Sequence, residues 1–286
     1  MTVYWEEFRP PVAGNPTRRP AGDVTLGAEP PVLLVMGLGM TATGWWRTVP
    51  VLAEAGLRVL TFDNRGVGRS ERSPGPYTVA AMAADAVAVL DAAGVESAHV
   101  YGISLGGMIA QELALRHGER VRALVLGATT AGGAAHAPPD AATLAFLDQR
   151  AQMTAEHAVW ASVPINYSAR TRAQGGDRIA EDIAQRLRFP IEAEYYSAQL
   201  AAAQSHDAAA RLGDIRAPTL VVHGAEDVLI PPANGERLAA AIPGAELALW
   251  PGAGHLYFTD EPEADRGVAR FLSGRSSPGP STRPHR

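Results

Sequence analysis

The sequence predicts a fold of the α/β class, in which a mostly parallel central sheet is flanked by helices and interrupted by a helical insertion. Short apolar runs bounded by Pro or Gly alternate with helical patterns of about a dozen residues, which is typical of βαβ units. This alternation stops near Ala131 and resumes at Pro218. The chain has 286 residues, of which 47% are hydrophobic and 19% charged, so it can bury a substantial core.

The first part of the chain alternates strand and helix patterns. Residues 1–31 are polar and rich in Pro and Gly, and they predict an edge hairpin. Continuous apolar runs, which are typical of strands buried on both faces, predict strands at 31–36, 58–63, 98–103 and 121–127. Apolar residues at helical spacing predict helices at 46–55, 77–93 and 105–117.

The remainder of the chain begins with the insertion. Residues 131–213 are rich in Ala, contain scattered aromatic residues and predict a helical cap. The later patterns predict strands at 218–224 and 246–250 and helices at 234–242 and 262–273.

These patterns define the predicted domains. The α/β core is predicted over residues 1–130 and 214–273, and the helical cap over residues 131–213. Residues 274–286 consist mainly of Gly, Ser, Pro and Arg, so they cannot form a core and predict a disordered tail.

Two residue types are absent, and each absence excludes a group of chemistries. The sequence contains no lysine, which excludes Schiff-base catalysis, a pyridoxal anchor and a P-loop lysine. It contains no cysteine, which excludes disulfides, thiolate nucleophiles and sulfur-ligated metal sites. The formal net charge of −5 argues against a nucleic-acid-binding protein.

The sequence also indicates the setting in which the protein works. The N-terminus lacks a basic segment followed by an apolar one, and no apolar run approaches the about 20 residues that span a bilayer. We therefore expect a cytoplasmic protein that acts on a small molecule and binds neither membrane nor nucleic acid. Metal-binding and dinucleotide motifs are missing, so we expect no cofactor and no metal. The sequence is compatible with both a monomer and a homo-oligomer.

The clearest functional motif runs from Gly102 to Gly106 and reads Gly-Ile-Ser-Leu-Gly. It matches G-x-S-x-G where a predicted strand meets a predicted helix. Ser104 would occupy a sharp turn that exposes its hydroxyl, so its neighbours two residues away must lack bulk. The backbone N–H of Leu105 would then be one donor of an oxyanion hole. The alternative interpretation is an ordinary glycine-rich turn between a strand and a helix.

A serine nucleophile needs a base and an orienting carboxylate. Among the eight histidines, His255 lies in a glycine-rich loop after the last predicted strand, on the sheet edge expected for Ser104. Glu226 and Asp227 are the candidates for the carboxylate, because they follow the strand that ends at Gly224. Adjacent loop residues point in different directions, so only one of the two should face His255.

Taken together, the motifs resemble the α/β-hydrolase superfamily across roughly residues 31–272. The segment 62–70 is similar to the D-x-R-G-x-G-x-S turn of that superfamily, which implies structural roles for Asp63 and Arg65. Within the superfamily, the chain looks similar to bacterial esterases, enol-lactonases, non-haem haloperoxidase-like hydrolases and polyketide methylesterases.

The resemblance also implies roles for individual residues. The order Ser104, Asp227, His255 is the triad order of the superfamily, and it favours Asp227 as the acid. The second oxyanion donor is expected in the loop after the first parallel strand. Many relatives have His-Gly there, where this chain has Met36 followed by Gly, and the backbone N–H of Leu38 is the implied donor.

The implied function is the serine-dependent hydrolysis of a small or medium apolar carboxylic ester or lactone through an acyl-enzyme. Two alternatives stay open. The same triad could serve an elimination, a cyclisation or the cleavage of a C–C bond in secondary metabolism. The chain could also be a ligand receptor that keeps the pocket without turnover.

Overall fold

The computed structural model describes residues 1–10, 18–19, 30–150 and 152–274. Its strands are β1 Trp5–Phe8, β2 Arg18–Arg19, β3 Val32–Val35, β4 Val59–Phe62, β5 Ala98–Ile103, β6 Val121–Gly127, β7 Thr219–Gly224 and β8 Glu246–Trp250. They form one sheet in the order β2-β1-β4-β3-β5-β6-β7-β8. Strands β3 to β8 are parallel, whereas β1 runs antiparallel to β2 and β4. This architecture confirms the predicted α/β class.

Twelve α-helices lie within the described ranges. They are α1 Thr48–Glu54, α2 Val79–Ala92, α3 Leu105–Arg116, α4 Ala141–Arg150, α5 Ala155–Ala161, α6 Val163–Asn166, α7 Ala169–Gln174, α8 Gly176–Leu187, α9 Ala193–Gln204, α10 Ala233–Ala241, α11 Tyr257–Asp260 and α12 Glu263–Leu272. Short 3₁₀ helices occupy Ala42–Trp45, Gly118–Arg120, Gly133–Ala135 and Ala209–Asp214. No described helix is both long and apolar enough to cross a membrane.

The sheet is covered on both faces, which explains its continuous apolar strands. Leu33 and Val35 join the apolar layer formed with α2, α3 and α10. Their neighbours Val32 and Leu34 join the opposite layer, formed with α1, α11 and α12. Alternate residues of one strand therefore enter two different cores.

Local details differ from the sequence predictions. The helix predicted over 46–55 begins at Thr48 and contains Pro50 in its first turn, where a missing N–H leaves no helical bond unmade. The N-terminal pair β1–β2 forms the edge predicted for residues 1–31, but its turn lies outside the described residues. The predicted tail also lies outside them, apart from Gly274.

The strand order places a crevice beside the functional motifs. Strand β3 lies between β4 and β5, so the chain leaves β3 towards one side of the sheet and returns on the other. The loops that follow β3 and β5 diverge at the carboxyl edge of the sheet, and such a switch point is where ligands bind in open α/β sheets. Helices α4 to α9 lie between β6 and β7 in the chain.

Candidate active site

Ser104 joins β5 to α3 in a strained backbone conformation, with φ of 56° and ψ of −122°. A positive φ is disfavoured for a residue with a side chain, so surrounding contacts must hold it. The Ser104 N–H donates to the Gly127 carbonyl at 2.9 Å, and the Ser104 carbonyl accepts the Thr129 hydroxyl at 2.7 Å. These bonds fix the turn against the start of the loop after β6.

The two glycines of the motif lie where backbones approach closely. A Cβ on Gly102 would lie 2.1 Å from the carbonyl oxygen of Gly106. A Cβ on Gly106 would lie 2.0 Å from the carbonyl oxygen of Val35. Neither position can hold a side chain unless the backbone moves. The spacing of these glycines around Ser104 is therefore a steric requirement of the turn.

Asp227 and His255 come together from the loops after β7 and β8, which are adjacent parallel strands. The Nδ1–H of His255 donates to Asp227 Oδ2 at 2.8 Å, and both side chains are buried. The second carboxylate oxygen accepts the backbone N–H groups of Leu229 and Ile230, each at 2.9 Å. Of the two candidate acids, Asp227 faces His255, whereas the exposed Glu226 does not.

His223, on β7, completes the surroundings of the carboxylate and was not among the predicted site residues. Its Nε2–H donates to the Ile230 carbonyl at 2.8 Å and lies 3.3 Å from Asp227 Oδ2. Burial by itself raises the pKa of Asp227, but His255 and His223 outweigh it and lower the pKa to about 2. Asp227 is therefore ionised at neutral pH. The only sequence signal for His223 is its position four residues before Asp227.

Ser104 and His255 line the same cavity, which has a volume of about 540 Å³ and lies at the carboxyl edge of the sheet. Among the residues that the structure describes, no hydrogen bond links the Ser104 hydroxyl to the His255 ring. Catalytic hydrogen bonds often form only when substrate is bound. The rest of the wall is mainly apolar and includes Met36, Met40, Met108, Leu147, Ile165, Leu200 and Leu229.

The backbone amides of Leu38 and Leu105 belong to residues that line this cavity. Neither N–H donates a hydrogen bond to another residue in the described ranges, so both are free to bind an oxygen. The loop after β3 is held without the histidine of many relatives. Asn64 Nδ2 donates to the Met36 carbonyl at 2.9 Å, and the Gly39 N–H donates to Gln199 Oε1 at 2.9 Å.

Gln199 is a second residue that the sequence did not reveal. It lies on α9, is fully buried, and donates from Nε2 to the Arg65 carbonyl at 2.9 Å. It thus joins the loop after β3 to the loop after β4. Nearby, Asp63 accepts the N–H of Ala42 at 2.8 Å and the N–H of Arg69 at 3.0 Å, so it ties the same two loops together.

The groups around the cavity are those that acyl transfer requires. A serine hydroxyl, an imidazole oriented by an ionised carboxylate and two unpaired amides surround one apolar space. Within residues 1–10, 18–19, 30–150 and 152–274, no group of three or more His, Asp or Glu side chains could hold a metal ion.

The chain is similar to known proteins over most of its length. A family model described as alpha/beta hydrolase fold matches residues 30–160 and 185–262. The putative carbamate hydrolase RutD of Variovorax paradoxus (strain S110) is 37% identical over 256 residues, which cover 87% of this chain and 93% of that protein. The putative non-heme bromoperoxidase BpoC of Mycobacterium tuberculosis (strain ATCC 25618 / H37Rv) is 33% identical over 241 residues, covering 83% and 91%. The solved enol-lactonase from Burkholderia xenovorans LB400 matches with a TM-score of 0.78 at 26% identity, over 95% of this chain and 96% of that one.

Proposed function

Because this chain belongs to the α/β-hydrolase family, we propose that it is a serine hydrolase that cleaves small or medium apolar carboxylic esters or lactones. One observation carries the proposal. His255 is hydrogen-bonded at 2.8 Å to the ionised Asp227, beside a cavity that His255 and Ser104 both line. A base oriented in this way, next to a serine held in a strained turn, serves nucleophilic catalysis.

The first half of the reaction forms an acyl-enzyme. Ser104 Oγ attacks the carbonyl carbon while His255 Nε2 accepts the hydroxyl proton. Asp227 keeps the proton of the neutral ring on Nδ1, so that Nε2 is free to act as base, and it stabilises the imidazolium that forms. The amides of Leu38 and Leu105 bind the oxygen that becomes negative. The imidazolium then protonates the leaving alcohol as the C–O bond breaks.

The second half repeats these steps with water. His255 takes a proton from water, the resulting nucleophile attacks the acyl carbon, and Ser104 leaves with the proton returned by His255. A linear ester yields an acid and an alcohol. A lactone yields one hydroxy acid, because its alcohol stays attached to the acyl group.

The helices between β6 and β7 serve, in this proposal, as a cap over the cavity. Leu147 on α4, Ile165 on α6 and Leu200 on α9 line the cavity together with Met36 and Met108 of the sheet domain. Such a lining favours an apolar acyl or alcohol group of medium size.

A carbamate is the second candidate substrate. The observation that favours it is the 37% identity to a protein named as a putative carbamate hydrolase. A carbamate presents a carbonyl carbon to Ser104 in the same way as an ester, so the same groups would act on it. The substrate panel should therefore contain p-nitrophenyl esters, lactones and a p-nitrophenyl carbamate.

Labelling with a fluorophosphonate tests the proposal, because this probe phosphonylates a serine only when a neighbouring base activates it. We expect the label on the peptide that contains Ser104, and we expect no label in a Ser104→Ala variant. An unlabelled native protein would favour the receptor alternative. Mass spectrometry of the products distinguishes hydrolysis, which adds water, from elimination and cyclisation, which do not. Hydrolytic cleavage of a C–C bond also adds water, and the masses of its two fragments identify it.

A further inference from the structure

A second cavity, of about 340 Å³, adjoins the active-site cavity. Arg150 and Tyr196 line both cavities, so the two spaces meet at these residues. The Arg150 guanidinium lies 4.1 Å from the centre of the Tyr196 ring, and this cation–π contact orients it. A ligand that reaches beyond Tyr196 would therefore pass the Arg150 guanidinium.

Arg186, on α8, also lines the second cavity. Its Nη1 atom is buried without a hydrogen-bond partner, and no ion pair joins Arg186 to another residue that the structure describes. Asp182 lies one turn earlier on the same helix, but other donors already occupy its carboxylate. These donors are Trp46 Nε1, Arg47 Nε, Tyr167 OH and Thr259 Oγ1.

The positive charge of Arg186 destabilises the protein while no anion is bound beside it. Burial lowers the pKa of its guanidinium, the Tyr167 hydroxyl and Asp182 oppose that effect, and the nearby charge of Arg150 lowers the pKa further. A buried charge without a partner is destabilising unless something neutralises it. A bound anion would accept the hydrogen bonds that Arg186 does not make, and it would offset the repulsion between the two guanidinium groups.

The Arg150 guanidinium also has N–H groups available to bind a ligand. Its Nε donates to Ser162 Oγ at 3.3 Å, and its two terminal nitrogens make no hydrogen bond with the described residues. Among the described residues that line the second cavity, Glu192 is the one with a carboxylate. Its Oε1 lies 3.3 Å from Arg72 Nη1, and both of those side chains are largely exposed. Helix α9 begins at Ala193 in the same wall, and its N-terminal N–H groups add partial positive charge.

On the basis of the proposed hydrolase function, we propose that Arg150 and Arg186 form a subsite for a carboxylate. The preferred substrates are then esters or lactones that carry a free carboxylate at the end remote from the scissile bond. The apolar cavity beside Ser104 holds the carbon chain, and the guanidinium groups bind the carboxylate in the second cavity.

Matched synthetic esters test this subsite. We would compare kcat/KM for the mono-p-nitrophenyl esters of succinic, adipic and suberic acids with kcat/KM for their methyl p-nitrophenyl diesters. Each pair differs only in whether the remote carboxyl is free or methylated. We expect at least one free acid to be preferred by about tenfold or more, because charge-assisted hydrogen bonds are stronger than neutral ones.

Three variants assign the preference to the two arginines. Arg186→Gln and Arg150→Gln should each reduce the preference for the free acid towards unity. Arg186→Lys should keep part of it, because lysine keeps the charge but not the planar fork. Arg188→Gln is the matched control, since Arg188 is exposed and, within the described part of the chain, its side chain donates to Gln185 alone; it should keep the full preference. Thermal unfolding of each variant shows whether it is folded.

The proposal is overturned if acids and methyl esters react equally at all three lengths, or if the preference survives both glutamine substitutions. A binding measurement separates this outcome from a failure of the hydrolase proposal. Calorimetry of the adipic monoester with the Ser104→Ala variant should show binding that Arg186→Gln weakens by about tenfold. That result supports the subsite even if the native protein hydrolyses none of the esters. Equal binding to Ser104→Ala and to the double variant that also carries Arg186→Gln contradicts it.

Discussion

His255 Nδ1 lies 2.8 Å from Asp227 Oδ2, although the two residues are 28 positions apart in the chain. They meet because β7 and β8 are neighbouring parallel strands, and their loops leave the sheet at the same edge. A carboxylate can only accept, so the proton of the neutral ring must lie on Nδ1, and Nε2 is left as the acceptor for Ser104.

Replacing the carboxylate should therefore remove the correct form of the imidazole. We expect Asp227→Asn to lower kcat for ester hydrolysis by about 10³ to 10⁴, because the amide favours the wrong tautomer and does not stabilise the imidazolium. The neighbouring Glu226→Gln is the control and should retain activity within about twofold, since Glu226 is exposed. The reverse pattern would show that the acid has been wrongly assigned.

The loop after β3, which carries the Leu38 amide, should be held in position by a residue that does not touch the substrate carbonyl. Gln199→Met keeps the shape of the side chain but removes the bonds to the Gly39 N–H and the Arg65 carbonyl. We expect kcat to fall by at least about tenfold, with a smaller change in KM, because the Leu38 amide loses its fixed position. The exposed Gln174→Met serves as control. An equal loss in both variants, or an unchanged kcat in Gln199→Met, would contradict this role.

The turn at Ser104 should tolerate no side chain at Gly106. We expect Gly106→Ala to destabilise the protein by more than about 3 kcal/mol in urea unfolding, because the added Cβ would meet a backbone carbonyl. Apart from Gly118 and its two chain neighbours, no atom of the described residues lies within 4 Å of the Cβ position at Gly118. Gly118→Ala should therefore change the free energy of unfolding by less than about 1 kcal/mol. Similar losses in the two variants would show that the close approach is not the cause.

Asp265 should make stability depend on pH. Burial raises its pKa to about 6, although Thr48 and Tyr101 donate hydrogen bonds to it. The folded protein therefore holds this proton more tightly than the unfolded chain, whose carboxyl titrates near pH 4. The stabilisation is complete below about pH 4 and is lost as the pH rises to about 6, by roughly 3 kcal/mol.

Asp265→Asn removes that titration. Between pH 4 and pH 7, the free energy of unfolding of the variant should rise relative to that of the parent, by up to roughly 3 kcal/mol. Urea unfolding at several pH values measures the difference. Parallel curves for the two proteins would mean that Asp265 keeps an ordinary pKa in the folded state.

The sheet and its loops could be predicted because buried parallel strands leave a strong sequence pattern. Ser104, Asp227 and His255 each follow such a strand, so the pattern also predicts that they share one edge. The choice between Glu226 and Asp227 came from resemblance alone. Side-chain directions in a loop depend on its hydrogen bonds, here those from Leu229 and Ile230, which no local pattern reveals.

Residues whose contacts are distant in the sequence could not be predicted, for a related reason. Gln199 contacts Gly39, which is 160 positions away. Arg186 Nη1 has no hydrogen-bond partner among the described residues, because other donors occupy the carboxylate of Asp182. A glutamine or an arginine in a helical pattern is normally solvated, and nothing in its own segment distinguishes it. Its role depends on how α8 and α9 pack over the sheet edge.

The role of Ser104 as nucleophile is tested by the turnover of Ser104→Ala on the full panel of esters, lactones and carbamates, with the fold of the variant verified by circular dichroism. We expect turnover by the variant to fall by about 10³-fold or more on every substrate that the native protein accepts. Near-native turnover of those substrates by a folded Ser104→Ala protein would contradict it.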